Sequence, residues 1–496
     1  MTDYTKKVVV GSLFVFVFTV LAAICGYLVR IIIARTLTSV EFGLLYSIFG
    51  TFGLFSILQQ MGLNESLSKF IAEFKVRNEN GKIKSAIIFT IVFQLATSFV
   101  LATVFWVLAP YLAKLYFKND LAVRGVRMAA IFVFLAPIEN LFLSIFRGYQ
   151  KSLWYSFALF ARMFFVLVST IVLFNFSKTI FSPIISYILV YSLSFLIYMP
   201  YFLTRLFPNF LKTKTKAFRD TSKKIFLFGL PIIITTVASS VITSTDTVMI
   251  TYFKTLDEVA VYNVAMPTAS LLWFFGSSIA IILLPLTSEM LKKKHLKLME
   301  QGIELIYKYS IFIVLPITIV MFIFPDTIIN ILFGGGYSSG IFILQVLSIA
   351  AIFFTIGQIN GAILSGLGKP AVNAKITAFA ALLNFTLNFV LIPSFGIIGA
   401  AIATAIAISL IGILSVIQLK REIKFRIPVV EWGKIIFCSL LFLVILIILK
   451  KYLLIQPLPK IILSVLCGIL AYIFIAIATK TLNIKELKTI KTRIMK

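Results

Sequence analysis

Long stretches without a charged side chain constrain this chain more than any other feature. Residues 327–368 and 376–419 contain no Asp, Glu, Lys or Arg, and shorter stretches of the same kind recur along the sequence. A helix needs about 20 apolar residues to cross roughly 30 Å of hydrocarbon. Of the 496 residues 60% are hydrophobic and 13% are charged, whereas about 25% are charged in a typical soluble domain. The sequence therefore predicts an integral membrane protein.

The charge distribution argues against a nucleic-acid-binding protein, and the numbers of Cys and His argue against a disulfide-rich or metal-binding protein. The chain has 46 Lys and Arg residues against 18 Asp and Glu, a net charge of +28. Most basic residues flank apolar stretches that are too long to stay in water, so we expect no nucleic-acid partner. Three Cys and one His are too few for a disulfide framework or a His/Cys metal site, and we expect no bound metal.

Cutting the chain at its charges predicts 14 transmembrane helices and an all-α polytopic fold. Two of them lie within residues 376–419 and separate at Pro393–Gly396, and another begins at about residue 341. The remaining spans are 8–29, 42–64, 85–113, 128–146, 152–177, 179–204, 225–245, 259–288, 309–325, 435–449 and 461–479.

The basic residues of the connections predict the orientation. On the side of the two termini the connections carry 34 Lys and Arg residues, and on the opposite side they carry 11. Because basic loops stay on the cytoplasmic side, both termini are expected in the cytoplasm of a cell-membrane protein. The basic connections are primarily topology signals, and contact with anionic lipid head groups is their secondary role.

A weak internal repeat predicts how the helices are grouped. Arg35-Thr36-Leu37 recurs as Lys254-Thr255-Leu256, and two further matches occur at an offset near 218. Each copy contains six helices, so the copies enter the membrane in the same direction and form parallel lobes. We predict lobes at 1–218 and 219–420, followed by two additional helices and a basic cytoplasmic tail at 421–496.

Polar side chains recur at helical spacing within several spans. Gly, Ser and Thr at these positions are explained either by close helix packing, which small residues permit, or by a water-filled path through the membrane. Gln, Asn, Asp and Arg on the same helix faces favour the water-filled path. The faces are Ser12, Thr19, Gly26 and Arg30; Gly53, Ser56, Gln60 and Asn64; Thr235, Ser239, Thr243 and Asp246; and Gln345, Ser348, Thr355 and Gln358.

Three charges lie within predicted spans: Glu139, Arg162 and Asp246. Each costs about 2.5–3.5 kcal/mol at mid-membrane. Spans four and five form a hairpin that places Glu139 and Arg162 at similar depth. One interpretation is a structural ion pair; the other is a cationic anchor for an anionic substrate, positioned by Glu139. The repeat positions of these two residues hold Gly357 and Ala380, so the charge is confined to one lobe.

The candidate functional residues follow from these patterns. Arg35 and Lys254 are repeat mates at the predicted outer mouth, where they are either snorkelling anchors or a gate. The candidate substrate-binding residues are Arg30, Gln60, Asn64, Glu139, Arg162, Thr243, Asp246 and Gln358.

Motifs for enzymatic chemistry are missing from the sequence. There is no G-x-x-x-x-G-K-[ST], H-E-x-x-H or G-x-S-x-G, so we expect a transporter without ATPase activity and without a cofactor. A membrane glycan polymerase or glycosyltransferase is the competing enzyme class. Such enzymes usually need a sizeable catalytic loop outside the membrane, and the predicted loops are short.

Several motifs resemble the polysaccharide-biosynthesis (Wzx-type) flippases. Their superfamily also holds the lipid II flippases and the multidrug and toxic compound extrusion transporters. The resemblance rests on the plan of six, six and two helices and on the motifs Arg30-x4-Arg35-Thr-Leu-x3-Glu41-Phe-Gly-Leu-x-Tyr46 and Gly229-Leu-Pro231, the latter followed by Asp246.

The resemblance implies a function and a set of partners. It implies two lobes that open alternately and move a polyprenyl-(di)phosphate-linked oligosaccharide from the cytoplasmic to the outer leaflet, with a cationic cavity at Arg30 and Arg162. Coupling to Na⁺ or H⁺ through Asp246 or Glu139, or to the membrane potential, stays open. Partners would be membrane lipids and glycan-assembly enzymes, and we expect a monomer. The alternative within the superfamily is a cation-coupled multidrug exporter.

Overall fold

Apolar helices account for nearly all of the architecture, as expected where backbone groups must be hydrogen-bonded within each span. The computed structural model describes residues 3–482, and no strand occurs in that range. The helices are α1 (Asp3–Thr36), α2 (Ser39–Gln60), α3 (Leu63–Val76), α4 (Asn80–Leu112), α5 (Leu121–Gly148), α6 (Ser152–Phe176), α7 (Phe181–Tyr201), α8 (Phe218–Phe253), α9 (Leu256–Ser270), α10 (Trp273–Lys292), α11 (Leu296–Ile323), α12 (Pro325–Phe333), α13 (Ile341–Gly366), α14 (Pro370–Glu422), α15 (Val429–Tyr452) and α16 (Pro457–Ala478). The predicted all-α class is confirmed.

The number of spans depends on how two long helices are counted. Within the described residues, 12 helices are long and apolar enough to cross a membrane, or 13 if α8, which is bent by 45°, counts as one span. Helix α14 has 53 residues, and its backbone is non-helical at Gly396 (φ 58°, ψ −140°). The break lies where the sequence predicted it. A span needs about 20 residues, so α14 is long enough for two, and the total of 14 stays a prediction.

Two predicted spans were wrong in their extent. Residues 259–288 form two helices, since α9 ends at Ser270 and α10 begins at Trp273; Pro267 lacks an amide donor and weakens the last turn of α9. The span predicted at 42–64 ends at Gln60. Met61 and Gly62 have left-handed backbone (φ 42° and 67°), and a Cβ on Gly62 would lie 2.4 Å from the carbonyl oxygen of Gly229.

One compact unit, unit 1, comprises residues 3–264 and 377–403. Within it α1 packs on α6, α4 on α5, α5 on α7, and α2 on α8. Gly125 near the start of α5 lies against Ile48 and Ile180, whereas Gly148 at the end of α5 lies against Ile71. The α1–α2, α4–α5 and α6–α7 connections therefore share one end of unit 1, which we call the α1–α2 end.

A second compact unit, unit 2, comprises residues 265–376 and the described residues from 404 onward. Helix α13 packs on α10 and α11, and α15 packs on α11 and α16. Two ion pairs hold α15: Lys308 with Glu431 at 3.3 Å and Lys450 with Asp326 at 2.8 Å. The units are defined by packing and the predicted lobes by a sequence repeat, so the predicted boundaries at 218 and 420 stay a prediction.

Candidate functional site

Arg30 is held in place by two contacts inside unit 1. Its guanidinium lies 4.0 Å from the centre of the Tyr46 ring, a cation–π geometry. One of its nitrogens donates a hydrogen bond to the carbonyl oxygen of Asn263. The motif that links Arg30 to Tyr46 in the sequence thus brings the end of α1 onto α2.

Aromatic rings continue from Tyr46 across three helices. Phe49 lies 6.1 Å from Tyr46 and 5.3 Å from Tyr187, and Tyr187 lies 6.5 Å from Tyr191, centre to centre. Phe132 stacks on Tyr191 with an interplanar angle of 10°. These five residues form what we call the aromatic row. Tyr187 interacts electrostatically with both Arg30 and Arg162, so the aromatic row connects the two guanidinium groups.

Glu139 and Arg162 meet at the far end of the aromatic row. Glu139 Oε1 lies 4.0 Å from Arg162 Nε, with side-chain exposures of 0% and 21%. Neither carboxylate oxygen of Glu139 nor Nε of Arg162 has a hydrogen-bond partner. Tyr191 interacts electrostatically with Arg162. Buried ionic groups usually satisfy their hydrogen bonds, so the protein compensates this pair poorly, and of the two side chains only Arg162 is partly exposed.

The tyrosines of α7 are functional candidates that the sequence analysis missed. Tyr187, Tyr191 and Tyr198 are spaced 4 and 7 residues apart, which places them on one face of a helix. All three interact electrostatically with Arg162. Tyrosine was grouped with the hydrophobic residues and was therefore not among the polar candidates, although its phenol donates and accepts hydrogen bonds.

Asp246 lies in a separate cluster of unit 1. It is buried, and it accepts hydrogen bonds from the hydroxyl of Tyr262 and, at 2.6 Å, from the side-chain amide of Asn388. Thr243, predicted on the same helix face, is exposed and donates to the carbonyl oxygen of Ser239 in its own helix. The structure therefore separates the two predicted residues.

Gln60 and Asn64 belong to a network of amides. Asn64 donates to Gln60 at 3.2 Å, and the buried Gln94 of α4 donates to Asn64 at 3.0 Å. Because the backbone turns at Met61 and Gly62, Asn64 belongs to α3 and not to the helix face predicted for span two. The network ties α2, α3 and α4 together, and a role in substrate binding stays a prediction.

The remaining predicted residues lie in three different places. Lys254 donates from Nζ to the carbonyl oxygen of Pro393 at 3.1 Å, beside the break in α14. Arg35 is exposed in the last turn of α1, a position that favours a cation. Gln358 is partly exposed on α13 in unit 2. Within the part of the chain that the structure describes, no group of three or more His, Cys, Asp or Glu side chains could hold a metal ion.

Comparison with solved structures identifies the fold. The chain superposes on the lipid II flippase MurJ in an inward closed conformation with a TM-score of 0.76. The superposition covers 94% of this chain and 98% of that protein, at 16% sequence identity. The fold is therefore shared with that flippase.

Comparison of sequences identifies the family. The family model described as polysaccharide biosynthesis protein matches residues 8–291, and the MatE model matches residues 231–390. An uncharacterized membrane protein of Methanocaldococcus jannaschii is 31% identical over 100% of both chains. A probable low-salt glycan biosynthesis flippase of Haloferax volcanii is 29% identical over 38% of this chain and 40% of that protein. With more than half of its residues matched by the first model, this chain belongs to the polysaccharide biosynthesis protein family.

Proposed function

We propose that this membrane protein is a flippase that translocates a polyprenyl-(di)phosphate-linked oligosaccharide from the cytoplasmic to the outer leaflet. The observation that supports this proposal most directly is the pair of guanidinium groups, Arg30 and Arg162, connected by the aromatic row. The Haloferax volcanii relative, named as a probable low-salt glycan biosynthesis flippase, supports the same class of substrate.

The chemistry of the site suits both parts of such a head group. Guanidinium groups bind phosphate oxygens through paired hydrogen bonds and stay charged at any physiological pH. Tyrosine supplies hydroxyl groups for sugars together with flat apolar faces. Glu139 is buried beside Arg162 and sets the position of its guanidinium group. The site thus offers cations for the phosphate and neutral contacts for the glycan.

Transport in liposomes tests the substrate. Purified protein is reconstituted with a polyprenyl diphosphate oligosaccharide, and an externally added glycan-binding protein reports substrate in the outer leaflet. We expect Arg30→Ala and Arg162→Ala each to reduce transport about tenfold or more, because each removes a charge-assisted hydrogen bond. Arg205→Ala is the matched control, since Arg205 is exposed. Wild-type transport by both site variants would refute the proposal.

The direction of transport rests on both termini being cytoplasmic. Single cysteines replacing Lys214 or Lys294 in a cysteine-free background should react only with membrane-permeant thiol reagents, because both lie in basic connections. A cysteine replacing Ser338 should also react with impermeant reagents. Labelling at position 214 from outside intact cells would reverse the predicted topology.

The driving force is part of the same proposal. Moving two negative charges outward gains roughly 2.3 kcal/mol per charge for every 100 mV of inside-negative potential. Transport should therefore rise with an imposed potential. Coupling to Na⁺ or H⁺ through Asp246 or Glu139 would instead appear as dependence on the ion gradient at zero potential, removed by Asp246→Asn or Glu139→Gln.

A cation-coupled drug exporter is the second candidate. The match of residues 231–390 to the MatE model includes Asp246 with its partners Tyr262 and Asn388. An exporter of lipophilic cations needs carboxylates and aromatic faces in its cavity, whereas the two partly exposed charges beside the aromatic row, Arg30 and Arg162, are both arginines. We expect no drug resistance on overexpression. Drug efflux that survives loss of Arg30 and Arg162 but disappears in Asp246→Asn would favour the exporter.

A further inference from the structure

A cavity of about 370 Å³ lies at the α1–α2 end of unit 1, separate from the aromatic row. The last turns of α4 and the first turns of α5 and α7 line it. On α5, Arg124, Arg127 and Ile131 follow at spacings of 3 and 4 and line the cavity, whereas the adjacent Phe132 belongs to the aromatic row. Helix α5 therefore presents different residues to the two sites.

Two arginines give this cavity its charge. The Arg124 guanidinium lies 4.6 Å from the ring centre of Phe181, and that of Arg127 lies 5.6 Å from the ring centre of Trp106. Arg127 Nε is buried and has no hydrogen-bond partner. Asp120 also lines the cavity, but no carboxylate within residues 3–482 forms an ion pair with either arginine. The guanidinium groups lie over aromatic rings, and the two arginines outnumber the one carboxylate, Asp120, that lines the cavity with them.

The surroundings of the cavity place it at the level of lipid head groups. Trp106 is 46% exposed although it lies in an apolar helix, and Val107, Leu108 and Tyr111 beside it are also exposed. Trp and Tyr are enriched where membrane and water meet. Arg127 lies six residues into α5, roughly 9 Å along the helix axis. The cavity therefore borders lipid, and the arginines lie near the membrane surface.

We propose that this cavity binds the phosphate group of an anionic membrane lipid. Guanidinium groups bind phosphate through paired hydrogen bonds, and the apolar side of the cavity at Trp106 and Ile131 is suited to the beginning of an acyl chain. The site is independent of the transported substrate, since it lies outside the aromatic row. It would hold a lipid of the surrounding bilayer, and free phosphate is the other source of the same chemistry.

Fluorescence quenching in lipid nanodiscs tests the proposal. Trp154, Trp273 and Trp432 are replaced by Phe in the full chain, so that Trp106 is the remaining tryptophan. Brominated phosphatidylglycerol should quench Trp106 at a lipid fraction about fivefold lower than brominated phosphatidylcholine does. Arg124→Gln and Arg127→Gln should each remove most of this preference. Lys114→Gln, which removes an exposed charge at the same end, should keep it.

Each contrary outcome shows whether the site itself or its assignment to a lipid is wrong. Equal quenching by the two lipids, or a preference that survives in the variant lacking both arginines, would overturn the site. A preference abolished by added inorganic phosphate would show a site for soluble anions and overturn the lipid assignment. Gel filtration checks folding; if the double variant does not fold, the single glutamine variants decide, because each retains one arginine stacked on its ring.

Discussion

Two buried ion pairs, one in each unit, differ in how well their charges are satisfied. In unit 2, Lys308 lies 3.3 Å from Glu431 Oε2, which forms no hydrogen bond, whereas Glu431 Oε1 accepts a hydrogen bond from Lys434 at 2.8 Å. In unit 1, Arg162 lies 4.0 Å from Glu139, whose two carboxylate oxygens have no hydrogen bond. Burial of a charge is costly unless it is paired and hydrogen-bonded, so the unit 1 pair is poorly compensated by the protein alone.

The difference separates a structural role from a binding role. The unit 2 pair joins α11 to α15 and attaches the additional helices through close contacts. The unit 1 pair lies beside the tyrosines of α7, of which Tyr187 also interacts with Arg30, and Arg162 is partly exposed. We therefore expect the unit 2 pair to act in stability and Arg162 of the unit 1 pair to act in binding. The predictions below test this contrast.

Exchanging the charges of the unit 1 pair should have the largest effect. Glu139→Arg combined with Arg162→Glu keeps the ion pair but moves the guanidinium to another helix. We expect a folded protein whose transport falls roughly 10- to 100-fold, the loss of a charged hydrogen bond to substrate. Transport and thermal unfolding are measured on the same preparation. Full activity in the exchanged protein would show that the pair is only structural.

Breaking the unit 2 pair should affect stability instead. Lys308→Met removes a charge whose side chain is 6% exposed. Because Glu431 is partly exposed and keeps Lys434, we expect a loss of about 1–3 kcal/mol, less than for a fully buried pair. The measurement is thermal unfolding in detergent, and transport per folded molecule should be unchanged. A loss of transport without a loss of stability would show that the unit 2 pair is not purely structural.

Removing a hydroxyl from the aromatic row should have a moderate effect. Tyr191→Phe keeps the ring stacked on Phe132 and removes the phenol near Arg162. One neutral hydrogen bond contributes about 0.5–1.5 kcal/mol, so transport should fall roughly two- to tenfold. Tyr452→Phe, at an exposed tyrosine of unit 2, is the control. Equal effects of the two substitutions would mean that the row does not contact substrate.

The smallest effect is expected at the predicted site residue of unit 2. Gln358→Ala removes a partly exposed amide, and we expect transport to fall about twofold or less, the lower limit for one neutral hydrogen bond. Initial rates in the same liposome assay measure it. A defect as large as that of Arg162→Ala would show that substrate binding is not concentrated in unit 1.

Several elements were predicted correctly because they depend on local signals. The break of α14 followed from Pro393 and Gly396, and the proximity of Glu139 and Arg162 followed from the short hairpin between their helices. The turn at Met61 and Gly62 was missed because an apolar stretch without charges hides it. Helix α15 is longer than predicted since Glu431 and Lys434 were taken as its limit, although paired charges lie within it.

The sequence by itself determined the membrane class, the helical fold and the presence of Glu139, Arg162 and Asp246 within largely apolar helices. Each of these depends on hydropathy along a single helix, where every backbone hydrogen bond is internal. Only the tertiary structure decided which polar groups meet. Tyr46 and Tyr187 are 141 positions apart in the sequence, and their joining through Phe49 depends on how α2 and α7 are rotated and packed. Helix rotation is set by contacts among many side chains, and no local pattern encodes it.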